Sequence, residues 1–115
     1  MYKKKYFFTI ITVVLNNKHT IERCIKSVLK QSYTKFEYIV IDGKSTDGTF
    51  DIIKKYKKKI NKIVSKKDKN LWHALNVGIR LSNGEVICIV NSDDFLTKNA
   101  LKIVHKYFIK NNLDY

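Results

Sequence analysis

At 115 residues and a formal net charge of +13, the chain has room for one domain, spanning residues 1–115, around one hydrophobic core. An apolar fraction of 44% with an ordinary charged fraction of 29% excludes an intrinsically disordered chain. No apolar run approaches the ~20 residues of a membrane-spanning helix, and two cysteines, Cys24 and Cys88, are too few for a disulfide framework.

Both cysteines fall within apolar patterns and lack metal-site spacing, so they read as buried free thiols. The charge comes almost wholly from lysine, with Arg23 and Arg80 the only arginines. Such a field attracts phosphates, nucleic acid or an anionic membrane surface without choosing among them, and lysine can equally well decorate solvated faces. The basic start is followed by an apolar run rich in Thr and β-branched residues. That run stops at Asn16-Asn17 without a small-residue cleavage site, so it reads as the first strand of a cytoplasmic protein rather than a signal peptide.

In chain order, residues 7–15 read as a buried strand. Thr20 is a plausible N-cap with Glu22 in the first turn, and Ile21, Cys24, Ile25, Val28 and Leu29 recur at helical spacing to about Gln31. Residues 36–41 form a second strand that ends in Asp42-Gly43. A second helix follows, with Phe50, Ile53, Tyr56 and Ile60 on one face and a lysine-rich opposite side; Asp47 and Thr49 cap and start it. A short strand at 62–65 precedes a third helix from about Leu71, which carries Leu71, Ala74, Leu75, Gly78 and Leu81 inward. Asn83-Gly84 reads as its C-terminal stop. After a strand at 86–90, a fourth helix runs from near Lys98 to Lys110 with Leu101, Val104 and Phe108 inward and Thr97 as a candidate cap. Leu113-Asp114-Tyr115 looks like the entry to a further strand. The β-α-β-α-β-α-β-α order predicts an α/β fold: a parallel sheet of about four strands wound with right-handed crossovers.

The run at 86–90 is continuous and mostly β-branched, as in a strand buried on both faces, and it ends abruptly in Asn91-Ser92-Asp93-Asp94. Ligands of such sheets bind beyond the carboxyl ends of the strands. Two carboxylates with neighbouring amide and hydroxyl oxygens form a hard-oxygen set suited to Mg²⁺ or Mn²⁺, and the same residues would also serve as an acidic helix cap.

Three segments share that edge: Thr12-Val13-Val14-Leu15-Asn16-Asn17, Asp42-Gly43-Lys44-Ser45-Thr46-Asp47-Gly48-Thr49, and Asn91-Ser92-Asp93-Asp94. With Ser27-Val28-Leu29-Lys30-Gln31-Ser32-Tyr33, Asp68-Lys69-Asn70 and Ala74-Leu75-Asn76-Val77-Gly78, they make the chain resemble the family 2 glycosyltransferases. These are inverting, nucleotide-sugar-dependent enzymes of GT-A (Rossmann-like) fold. The resemblance runs from about residue 8 to 95 and weakly to the end.

The resemblance implies a fold, a reaction and a set of residues. The fold is the nucleotide-sugar-binding half of a GT-A domain, apparently truncated. The reaction is sugar transfer from a nucleoside diphosphate donor, a UDP-sugar, to a glycan or lipid-linked acceptor in polysaccharide biosynthesis. The nucleotide-sugar-binding positions would be Val14, Asn16, Asp42, Asp68, Asn76, Ser92 and Asp93. Asp42 matches the aspartate that accepts from the base, and its alternative is a turn aspartate bonding its own backbone. Asp68 matches an acidic position near nucleotide or sugar, although its lysine neighbours also suit a solvated loop. Gly78 allows close helix packing. Asp93, assisted by Asp94, would hold Mg²⁺ or Mn²⁺ against the diphosphate, where the metal neutralises charge on the leaving group.

The chain also departs from the family. Asn91 stands where an aspartate is common, Lys44 and Asn70 replace small glycines, and His73 replaces a frequent acidic residue and receives no role. The catalytic base of the family is expected from a second half of the domain, beyond residue 115, so no catalytic residue is assigned. The location implied is cytoplasmic, with peripheral association at the inner face of a membrane compatible with the charge. Other classes are a non-catalytic nucleotide-binding remnant and a basic nucleic-acid-binding module. Against the latter, no nucleic-acid motif is visible and aromatics do not interleave with the lysines.

Overall fold

Short β-branched runs alternate with amphipathic segments, and each becomes a separate element in the computed structural model, which describes residues 5–111. The order is β1 (Phe8–Val14), α1 (Ile21–Leu29), β2 (Phe36–Asp42), α2 (Thr49–Lys54), β3 (Lys62–Ser65), α3 (Leu71–Leu81), β4 (Val86–Ile89) and α4 (Ala100–Asn111). The four strands form one parallel sheet in the order β3-β2-β1-β4. Connections leave β1 towards β2 and β3, then return across to β4, so the sheet reverses between β1 and β4. That reversal opens a crevice at the carboxyl ends of the strands.

Alternation along β1 divides the core. Phe8, Ile10 and Val14 face a layer with Ile21, Cys24, Ile25 and Val28 of α1, Ile53 of α2 and Leu101 of α4. Ile11, with Ile39 and Ile41 of β2, faces Ala74 and Leu75 of α3. Each buried Ile or Val contributes about 1.5–3 kcal/mol. Gly78 lets α3 approach the sheet, because a Cβ there would lie 2.8 Å from Ile11 Cγ2. That agrees with the packing role read from the sequence.

Several local expectations change. The strand at 86–90 is not buried on both faces: Ile87 and Ile89 are 39% and 49% exposed. Among the described residues β4 pairs only with β1, and α3 sits over β1 and β2. The second helix stops at Lys54, and turns carry the chain to Ile60. Thr20 makes no side-chain cap bond to α1. Gly84 is not a left-handed helix stop; its place is fixed by close approach, since a Cβ would meet Thr9 N at 2.5 Å. On α4 Leu101 is buried and Phe108 half-buried, as expected, but Val104 is exposed and His105 is half-buried instead, between the rings of Phe7 and Tyr33. Cys24 is buried and Cys88 half-buried, and both are free. The expected strand entry at Leu113 lies outside the described residues.

Candidate nucleotide-sugar site

The site is assembled from loops that leave the carboxyl ends of the four strands. The first two are laced together. Gly43 N–H donates to Val14 O at 2.9 Å, Asn16 N–H to Ser45 Oγ at 2.9 Å, and Thr46 N–H to Asn16 Oδ1 at 2.7 Å. Asn16 holds a φ of 52°, a left-handed conformation that asparagine tolerates better than most residues. Asn17 N–H donates to Thr49 Oγ1 and Lys18 N–H to Asp47 Oδ2. Asp47 Oδ1 accepts from the Thr49 N–H and hydroxyl, and these bonds, the hydroxyl above all, hold its carboxyl below the usual range. Asp47 and Thr49 therefore start α2, as the sequence suggested.

Asp42 is fully buried and serves this loop. Its Oδ1 accepts from Ser45 Oγ at 2.6 Å, and its Oδ2 from Lys44 N–H at 3.1 Å and Ser65 Oγ at 2.8 Å. The Ser45 N–H lies 3.3 Å from both oxygens. A carboxylate has about four lone-pair directions, and protein donors occupy them. Asp42 thus makes the bonds of a turn aspartate, the alternative that the sequence also offered for it.

On the α3 side of the strand ends lies a hollow of about 250 Å³, lined by Val13, Val14, Leu15, Gly43, Ala74 and the segment 68–71. Its walls are mainly aliphatic, as suits a flat heterocycle. Val14 and Asp68 thus line the same hollow. The Asp68 side chain is only 7% exposed, despite its lysine neighbours, and so is not a solvated loop charge. Its Oδ1 lies 2.8 Å from His73 Nδ1, whereas its Oδ2 is buried without a hydrogen-bond partner. Asn70 caps α3, its Oδ1 accepting from His73 N–H at 2.9 Å. Asn76 is exposed on α3 and does not line the hollow; Leu71 and Ala74 supply the helix's share.

The acidic turn follows β4 and is held from the β1–α1 segment. Asn17 Nδ2 donates to Ser92 Oγ at 2.7 Å, Arg23 Nη2 to Asp93 O at 3.3 Å, and Cys24 Sγ to Asn91 O at 3.4 Å. Burial pushes the Cys24 thiol up, so it stays a neutral donor near pH 7. Asp93 and Asp94 are exposed, and Asn91 Nδ2 reaches Asp94 Oδ2 at 3.3 Å. Among the described residues no three His, Cys, Asp or Glu side chains gather as a metal cage. Two exposed carboxylates nevertheless fit a hard cation that takes its other ligands from water and phosphate. Sequence reasoning missed Asn17 and His73 as site residues. Asn17 was visible as a strand-end polar pair with Asn16, and His73 as a departure from an acidic position.

The sequence model of Glycosyl transferase family 2 matches residues 9–115. The chain belongs to this family. The poly(ribitol-phosphate) beta-N-acetylglucosaminyltransferase TarS of Staphylococcus aureus is 35% identical over 100 residues, 83% of this chain and 18% of that protein. The Escherichia coli enzyme WfgD, named as a UDP-Glc:alpha-D-GlcNAc-diphosphoundecaprenol beta-1,3-glucosyltransferase, is 32% identical over 111 residues. That match covers 96% of this chain and 44% of WfgD. The crystal structure of TarS 1–349 in complex with UDP-GlcNAc superposes with a TM-score of 0.84 at 28% identity, covering 91% of this chain and 32% of that one. Mannosyltransferase PcManGT from Pyrobaculum calidifontis, in complex with GDP-Man and Mn²⁺, gives a TM-score of 0.71 at 27% identity, over 82% of this chain and 29% of that one. The sheet is thus that of the GT-A fold, and the chain spans less than half the length of each of these relatives.

Proposed function

We propose that this chain forms the donor-binding part of an inverting glycosyltransferase that takes a UDP-sugar. The observation that carries the reading is an aliphatic hollow lined by Asp68, whose Oδ2 is a buried acceptor without a hydrogen-bond partner. Uracil presents a ring N–H where cytosine presents an acceptor, so a carboxylate at that position favours uracil. The role first read at Asp42 passes to Asp68. Val14 and Gly43 form the wall beneath the base, and Asn16 braces the loop that holds them.

The diphosphate would extend from the hollow towards the turn at 91–94. Ser92, held by Asn17, fixes that turn, and Asp93 with Asp94 would hold Mg²⁺ or Mn²⁺ there. When bound, the ion neutralises charge on the leaving nucleoside diphosphate. Attack of an acceptor hydroxyl on the anomeric carbon inverts it and expels the diphosphate. The acceptor is a glycan or lipid-linked saccharide, as in polysaccharide biosynthesis. WfgD's name specifies a diphosphoundecaprenol-linked acceptor for that enzyme. An acceptor of that kind would bring a cytoplasmic chain to the inner face of a membrane, where a net charge of +13 favours anionic headgroups. Among the described residues no helix is long and apolar enough to cross a membrane.

Calorimetry of UDP binding, with and without Mn²⁺, tests the reading. Affinity should require the metal and should lose that dependence in Asp93→Ala. Equal affinity of the unaltered chain with and without Mn²⁺ would refute the metal role, and absence of UDP binding would refute the whole.

A further inference from the structure

Asp68 and His73 bridge the loop after β3 and the first turn of α3. The Asp68 side chain is 7% exposed and that of His73 40%, so the pair straddles the boundary between the hollow and solvent. A carboxylate only accepts, so the 2.8 Å contact puts the proton on His73 Nδ1 and points it at Asp68 Oδ1. The Asn70 side chain holds the His73 backbone N–H, which fixes where the ring starts. Rotation of the carboxylate would break the Nδ1–Oδ1 bond. With Oδ1 held, Oδ2 stays in place, buried and without a partner. A buried acceptor left unmade is costly, and a donor on a ligand relieves that cost.

We propose that His73 is a positioning residue for base selection: by donating to Asp68 Oδ1 it presents Asp68 Oδ2 to the ring N–H of a uracil-type base. The inference rests on the hollow being the nucleotide site. Other charges nearby do not perform the selection. Lys66, Lys67 and Lys69 are exposed on the same loop, with Lys69 also lining the hollow, and they attract phosphates whatever base is attached.

The test is calorimetry of UDP and CDP, both with Mn²⁺, on the unaltered chain, His73→Ala, His73→Asn, Asp68→Asn and the double variant His73→Ala/Asp68→Asn. The side-chain nitrogen of asparagine can take the place of His73 Nδ1 and keep the donor. His73→Ala should weaken UDP about five- to tenfold and leave CDP unchanged, and His73→Asn should recover most of the loss. In the Asp68→Asn background, His73→Ala should cost nothing further. Equal weakening of both nucleotides, or additive losses in the double variant, would overturn the inference. So would ring-nitrogen NMR signals of His73 that respond identically to UDP and CDP in the unaltered chain, a measurement that needs no variant to fold. A chain that binds UDP and CDP equally well refutes base selection while leaving the donor site standing. A chain that binds neither refutes both.

Discussion

Asn17 Nδ2 donates to Ser92 Oγ across 2.7 Å and joins the end of β1 to the turn after β4, 75 residues further along. This bond crosses the point where the strand order reverses, so it sets the width of the crevice beside the acidic turn. Its neighbours are the Cys24 bond to Asn91 O and the Arg23 bond to Asp93 O.

Asn17→Ala removes one of these ties without touching a carboxylate. A hydrogen bond of about 1 kcal/mol corresponds to roughly a fivefold change in binding. With Mn²⁺ present UDP affinity should fall by about that factor, while without Mn²⁺ the variant should stay as weak a binder as the unaltered chain. Parallel titrations with and without Mn²⁺ measure the difference.

Asp42→Asn should destabilise the fold rather than change base preference. The carboxylate accepts from Ser45, Lys44 and Ser65, and an amide presents N–H groups to donors that need acceptors. The expected loss is about 1–3 kcal/mol, seen as a lower urea midpoint. The ratio of UDP to CDP affinity should be retained in the folded variant, in contrast to Asp68→Asn.

Lys44→Gly should stabilise the chain. Lys44 has a φ of 68°, a left-handed conformation that costs a side-chain-bearing residue about 1–2 kcal/mol and glycine almost nothing. Part of that gain is offset by the entropy of a glycine in the unfolded chain, so a net of roughly 0.5–1 kcal/mol is expected. Lys44→Ala serves as control and should show no gain in thermal unfolding.

Tyr56 and Glu22 provide a pH-dependent contact between α1 and the turns after α2. The Tyr56 hydroxyl donates to Glu22 Oε2 at 2.6 Å, which raises the Tyr56 pKa from 10.0 to about 12 and lowers that of Glu22. The raised phenol contributes stability below its unfolded value near 10, lost as pH climbs through about 12. The lowered carboxyl contributes above its unfolded value of 4.5, lost as pH falls through its folded value. The contribution is small because solvent screens the pair. The stability difference between the unaltered chain and Tyr56→Phe should form a plateau between about pH 5 and 10 and shrink on both sides. Urea unfolding across that range checks it.

The sequence by itself determined the number, type and order of the elements, because β-branched runs and 3.6-residue periodicity are local properties of the chain. It also put Val14, Asp68 and the turn at 91–94 at or just after strand ends, the edge where ligands of parallel sheets bind. The tertiary structure decided what each polar side chain does. Asp42 and Asp68 look alike as acidic loop residues, yet one is saturated by Ser45, Lys44 and Ser65 and the other keeps a buried oxygen open. That difference depends on how the turn after Asp42 folds back on it and on Ser65 arriving from β3. The exposure of Ile87 and Ile89 likewise follows from which neighbours flank β4, which an apolar run cannot encode. The pairing of Asn17 with Ser92 exists only once β1 and β4 lie side by side in the sheet, and that of His73 with Asp68 only once the loop after β3 folds against the first turn of α3. Periodicity reports which face of an element is apolar, but hydrogen-bond saturation is a property of the assembled loops.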